Sequence, residues 1–208
     1  MGPAALILQI SSRWLLAPTG DFNYFFATLG QNDFRFVFNI LLFAPLTEEF
    51  FKYLVVRQVI LRHPDFDEPL DAMIYLIVSA LGFAAAENLL VIFTSSILSF
   101  QVALNIALAR FLSATFLHTL ASGILGYFLA LALLNFKKRK LIFGLGFALA
   151  VVAHSFYNFL AWHFFSQGEF KNFALFAALF LIFLAALVSW QFRLLKKQIS
   201  ICQMPAKN

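Results

Sequence analysis

Charge is what this 208-residue chain most lacks: Asp, Glu, Lys and Arg make up 12% of it, against roughly 25% in ordinary soluble domains. Hydrophobic residues supply 62%, with 29 phenylalanines, against roughly 45–50% in such domains. Composition this apolar excludes a disordered chain, and water could not be kept from so much apolar surface at this length. One cysteine, Cys202, excludes a disulfide framework and a thiolate metal cluster. Strand-like alternation of polar and apolar residues is missing, so a membrane barrel is set aside and membrane helices remain. The net charge of +5 comes from basic residues in short clusters beside apolar runs. That placement reads as membrane topology and not as a nucleic-acid surface.

What is present is a series of long apolar segments. Phe34 to about Leu61 contains Pro45, which should kink it or start a helix there. Leu70–Phe93, Ala114–Phe136, Leu141–Phe164 and Phe170–Phe192 follow, each long enough to cross a core of about 30 Å. The stretch Ile97–Phe111, with Gln101, Asn105 and Arg110, reads as an interfacial or re-entrant helix. With it outside the count of spans, ten of the fifteen Lys and Arg fall on one side, including Lys137-Lys138-Arg139-Lys140. The positive-inside rule makes that side cytoplasmic. Ala4–Leu16 is short, lacks a basic leader and is interrupted by polar residues. It therefore reads as an interfacial or partial span and not as a secretory signal. The expected architecture is all-α: a polytopic helix bundle of about five full spans plus the interfacial or re-entrant helix. Residues 1–33 form an N-terminal segment, 34–195 the bundle and 196–208 a cytoplasmic tail.

Ionisable residues within spans are expensive and are functional candidates by default. Glu48 and Glu49 point about 100° apart on a helix, and Lys52 can pair with either. One carboxylate would be tied up and the other left as a base; the plainer reading is a surface salt bridge. Glu87 follows three alanines in the middle of a span, where another helix can approach closely; a helix-joining hydrogen bond would also explain it. His118 lies in a polar stripe with Thr115, Ser122 and Gly126. Arg110 could pair with a glutamate or hold a carbonyl, or simply snorkel to the interface. His154 and Asn158 share a face. His163 is turned half a circle away and is expected at the outer interface, and His63 in a solvated loop.

Depth brings these residues together. Counted at about 1.5 Å per residue from the cytoplasmic ends, Glu48 and His154 lie about 20 Å deep, and Glu87 and His118 about 25–27 Å deep. Imidazoles and carboxylates in one dry cavity suit two related chemistries. They could hold Zn²⁺ with an open position for water, or a glutamate could activate water while His or Asn158 stabilises the oxyanion. Both end in amide hydrolysis. No His-Glu-x-x-His occurs, no Gly-x-Ser stands beside a suitable histidine, and Phe147 follows Gly144-Leu145-Gly146 where an aspartyl intramembrane protease would carry Asp.

The set Glu48-Glu49-x-x-Lys52, Phe83-x-x-x-Glu87-Asn88, Arg110 followed by His118 and Gly126, and His154-x-x-x-Asn158 resembles the PrsW family of intramembrane proteases. That family is related to the CAAX-type prenyl endopeptidases. Lys52, and Glu87 where the CAAX branch has His, favour the PrsW branch. The resemblance implies a multi-pass metalloprotease of the bacterial cytoplasmic membrane. Its members include enzymes that make the first cut in single-span anti-sigma factors, near the outer face. The expectation is therefore a peptidase acting on membrane-protein substrates within the lipid bilayer. Glu48 or Glu49 is the expected base, with Lys52 setting its charge state. Glu87, His118 and His154 are expected as Zn²⁺ ligands or their metal-free equivalents, and Arg110 and Asn158 as carbonyl-positioning groups. The rival expectations are a proton- or metal-coupled transporter and a catalytically silent binding or immunity protein with the same fold.

Overall fold

A computed structural model describes residues 38–61, 63–95 and 100–197. The expectations for residues 1–33 and for most of the tail lie outside them. Six α-helices follow one another, with no strand among the described residues. We label them α1 (Ala44–Val55), α2 (Pro69–Ser95), α3 (Phe100–Leu112), α4 (Ala114–Leu134), α5 (Arg139–Ser166) and α6 (Phe170–Leu195). The molecule is an all-α polytopic bundle.

Among the described residues, four helices are long and apolar enough to cross a membrane: Pro69–Leu90, Leu108–Leu134, Phe136–Phe164 and Phe170–Leu195. Of the segment expected as the first span, residues 38–60 are helical but change winding twice. A π-helical stretch, Asn39–Phe43, leads into α1, and a second, Val56–Ile60, leaves it. Pro45 stands at the start of α1, where its missing N–H removes no bond that an α-helix would need. Pro45 thus marks where the winding changes, and Glu48, Glu49 and Lys52 emerge on the first turns after it.

Ile97–Phe111 was expected to be separate from the following span. The structure has a distinct α3, ended by a turn at Ser113, whose φ and ψ of −128° and −65° lie outside the helical region. Arg110 sits on the last turn of α3, next to the start of α4.

Helix α4 is the axis of the bundle. It packs along α2 and α5 and also touches α6 and α3, while α1 lies against α2 and α5. Small residues permit this. A Cβ added to Gly126 would come within 2.5 Å of the Met73 Cα and 3.0 Å of the Ala72 carbonyl oxygen, so α2 and α4 touch backbone to backbone. The outer surface is apolar: Val78, Val152, Ile182 and Phe183 are exposed, whereas Glu48, Glu49, Lys52, His118 and His154 are buried. Apolar residues outside and ionisable residues inside are what a lipid solvent selects.

Candidate functional site

The α1 turn supplies the first half of the site. Glu49 is fully buried and accepts hydrogen bonds at both carboxylate oxygens. Lys52 Nζ lies 2.6 Å from Oε1 and Ser122 Oγ donates to Oε2 at 2.9 Å. His154 Nδ1 lies 3.1 Å from Oε1. The spacing left open which carboxylate Lys52 would choose; Glu49, one turn before it, is the partner. The Lys52 ammonium also lies 2.8 Å from His118 Nδ1 and over the Phe83 ring, 4.9 Å from its centroid.

The second half comes from the close crossing of α2 and α4. His118 Nε2 lies 2.9 Å from Glu87 Oε2, and Arg110 Nη2 lies 3.0 Å from Glu87 Oε1. Asn88 completes the group: its Oδ1 accepts from Arg110 Nε and its Nδ2 donates to Thr115 Oγ1, each at 3.0 Å. The His118 and His154 rings meet edge to face, 4.9 Å apart at 87°.

These contacts assign the tautomers. Carboxylates accept and do not donate when ionised, so His118 carries its proton on Nε2, toward Glu87, and His154 on Nδ1, toward Glu49. The other nitrogens, His118 Nδ1 and His154 Nε2, lie on the side of Glu48, and the Nδ1 lone pair of His118 accepts from the Lys52 ammonium at 2.8 Å. Glu48 Oε2 stands 3.9 Å from the first and 3.6 Å from the second. Both gaps exceed a hydrogen bond and suit a bridging water or ion.

Ligand atoms of Glu48, His118 and His154 lie within 4.8 Å of one another. One carboxylate and two imidazoles, each anchored to a carboxylate by its other nitrogen, is the donor chemistry and outer support of a zinc site. The residues fit such an ion. The expected trio was Glu87, His118 and His154. Here Glu48 is the carboxylate grouped with both imidazoles, while Glu87 contacts the other nitrogen of His118.

Asn158 lies one turn beyond His154 and is half-buried. His163 lies outside the group and stacks on Phe159, and His63 is exposed beside Asp65. Ser122, in the polar stripe, and Asn88, beside Glu87, carried no assigned role in the sequence. Ser122 lies one turn after His118 on the same face, and Asn88 is adjacent to Glu87. Their spacing was visible, but their partners on α1 and α3 were not.

A family model described as PrsW family intramembrane metalloprotease matches residues 4–188. The Protease PrsW of Geobacillus kaustophilus is 34% identical over 117 residues, covering 56% of this chain and 49% of that protein. Protease PrsW of Oceanobacillus iheyensis is 37% identical over 117 residues, 55% of this chain and 50% of that protein. Protease PrsW of Clostridioides difficile is 28% identical over 119 residues, 56% of this chain and 49% of that protein. The chain spans about half the length of the curated relatives it matches. No solved structure gives a significant match.

Proposed function

This chain belongs to the PrsW family of intramembrane metalloproteases, and from that membership we propose that it is an endopeptidase hydrolysing a peptide bond in membrane-protein substrates. The observation that carries the reading is the position of Glu48, whose carboxylate lies 3.6 and 3.9 Å from two imidazole nitrogens. A water in that gap can give its proton to Glu48 while its oxygen attacks the scissile carbonyl. Glu48 then returns the proton to the leaving amine, as a general base turned acid. Glu49 is the poorer base because Lys52, Ser122 and His154 already engage its oxygens. Its work is to hold His154 and Lys52 in place. Glu87 does the same for His118.

Glu48, His118 and His154 would also hold Zn²⁺, which when bound lowers the pKa of water and polarises a carbonyl. Arg110 is the one cation of the site that reaches partial exposure, with 27% of its side chain accessible. It lies against Glu87 at the half-exposed edge of the site, and Asn158 lies one turn beyond His154. We assign both to carbonyl positioning. His118 lies in the first turns of α4 and Glu87 in the last third of α2, so the site is toward one end of the bundle. By the distribution of basic residues that end is extracytoplasmic. The substrate class we propose is a single-span protein of the bacterial cytoplasmic membrane, an anti-sigma factor among the candidates, cut near that face.

The test is reconstitution of the full chain in liposomes with single-span substrates, followed by mass spectrometry of new termini. A new terminus near one membrane face, absent with Glu48→Gln, is the expected result. Ion flux across the sealed vesicles without any cleavage would replace the reading with transport.

A further inference from the structure

Lys52 contacts a ring nitrogen that a metal ion held by Glu48, His118 and His154 would use. An imidazole nitrogen has one lone pair in the ring plane. His118 directs the lone pair of Nδ1 at Lys52 Nζ, 2.8 Å away. Its other nitrogen is committed to Glu87 at 2.9 Å, so offering Nε2 instead would break that contact and leave the half-buried Glu87 with Arg110. An ion bound by Glu48, His118 and His154 would take the Nδ1 lone pair and would face an ammonium on the same atom. Like charges that close in a poorly solvated interior repel strongly.

We infer that Lys52 and a metal ion compete for Nδ1 of His118, and that loading the Glu48–His118–His154 group requires Lys52 to turn away from this imidazole. The inference rests on the reading of those three residues as a metal-binding group. Lys52 has somewhere to go. Its ammonium keeps Glu49, at 2.6 Å, and the face of Phe83 when the contact to His118 is lost. A flexible four-carbon stem permits the small rotation. The site thus has two arrangements: the side-chain cation on His118, or the metal ion on His118 with Lys52 drawn back to Glu49. Lys52 lowers the affinity that the three ligands would have alone, and it supplies a positive charge to His118 when no ion is bound. Its spacing to Glu49 serves this purpose, since one partner anchors the ammonium in both arrangements.

The experiment is a Zn²⁺ titration of the full chain in detergent, with Kd read by competition against a chromophoric chelator. Wild type is compared with Lys52→Met and with the charge-balanced double variant Glu49→Gln/Lys52→Met, which removes both members of the buried pair. Each is also made with His118→Ala. At least a tenfold tighter Kd in Lys52→Met or the double variant, lost with His118→Ala, is expected. Equal affinity in wild type and both variants would overturn the competition while leaving the metal site standing. A tighter Kd that survives His118→Ala would overturn it too, by placing the ion elsewhere. Absence of binding in every variant would remove the metal reading itself, and the competition with it.

Discussion

Nε2 of His118 lies 2.9 Å from Glu87, a residue 31 positions earlier on a different helix. That contact orients the imidazole so that its other nitrogen faces Glu48 and Lys52. Carboxylates that orient a ligand or catalytic histidine are worth about 10–100-fold in affinity or activity. Glu87→Gln should therefore lower kcat/KM by about that range, with KM nearly unchanged and the thermal midpoint close to wild type. A change confined to KM would place Glu87 in substrate binding instead.

Arg110 uses two different nitrogens, Nε toward Asn88 and Nη2 toward Glu87, each at 3.0 Å. A lysine ammonium cannot reproduce that planar fork. Arg110→Lys should consequently lose most of what Arg110→Ala loses, measured as cleavage rate at saturating substrate. Asn88→Leu, which frees the guanidinium from one side, should fall by about tenfold, in the range of a hydrogen bond to a charged group. Full activity in Arg110→Lys would reduce Arg110 to a simple positive charge.

Gly126 and Gly144 make a matched pair. A Cβ at Gly126 meets the backbone of α2 at 2.5 Å, whereas one at Gly144 meets nothing within 4 Å. Gly126→Ala should force α2 and α4 apart, destabilise by about 1–3 kcal/mol and reduce activity, since those helices carry Glu87 and His118. Gly144→Ala should be neutral or stabilising by up to about 1 kcal/mol. Thermal unfolding in detergent reads both.

Ser122→Ala removes one donor to Glu49 and leaves Lys52 and His154 in place. Interhelical hydrogen bonds in membrane proteins average about 0.6 kcal/mol and reach about 1.7. A loss of stability within that range, with activity reduced less than in Glu87→Gln, is expected from unfolding curves and cleavage rates on the same samples.

The bundle was legible because lipid imposes a simple rule: long apolar segments with satisfied backbones. The break before α4 was visible in Arg110, Ser113 and the polar residues of α3. Convergence of Glu48, Glu87, His118 and His154 followed from depth along straight helices. Pairing within the site did not follow. Depth fixes the height of His118 but not which ring nitrogen faces which carboxylate, so Glu87 and Glu48 could not be told apart as partners for the two lone pairs. The choice of Glu49 by Lys52 likewise depends on Ser122 and His154, which approach from α4 and α5. Winding changes around α1 were also hidden, because a π-helical stretch leaves no periodicity of its own in five residues.

The most direct test of the account is the initial rate of substrate cleavage in liposomes by Glu48→Gln, His118→Ala and His154→Ala, with folding checked by thermal midpoint. Each should fall by at least about 100-fold, the lower end of what general acid–base groups supply. Wild-type rates in a folded Glu48→Gln would contradict the account, because the bond would then be cut without the carboxylate that faces both imidazoles.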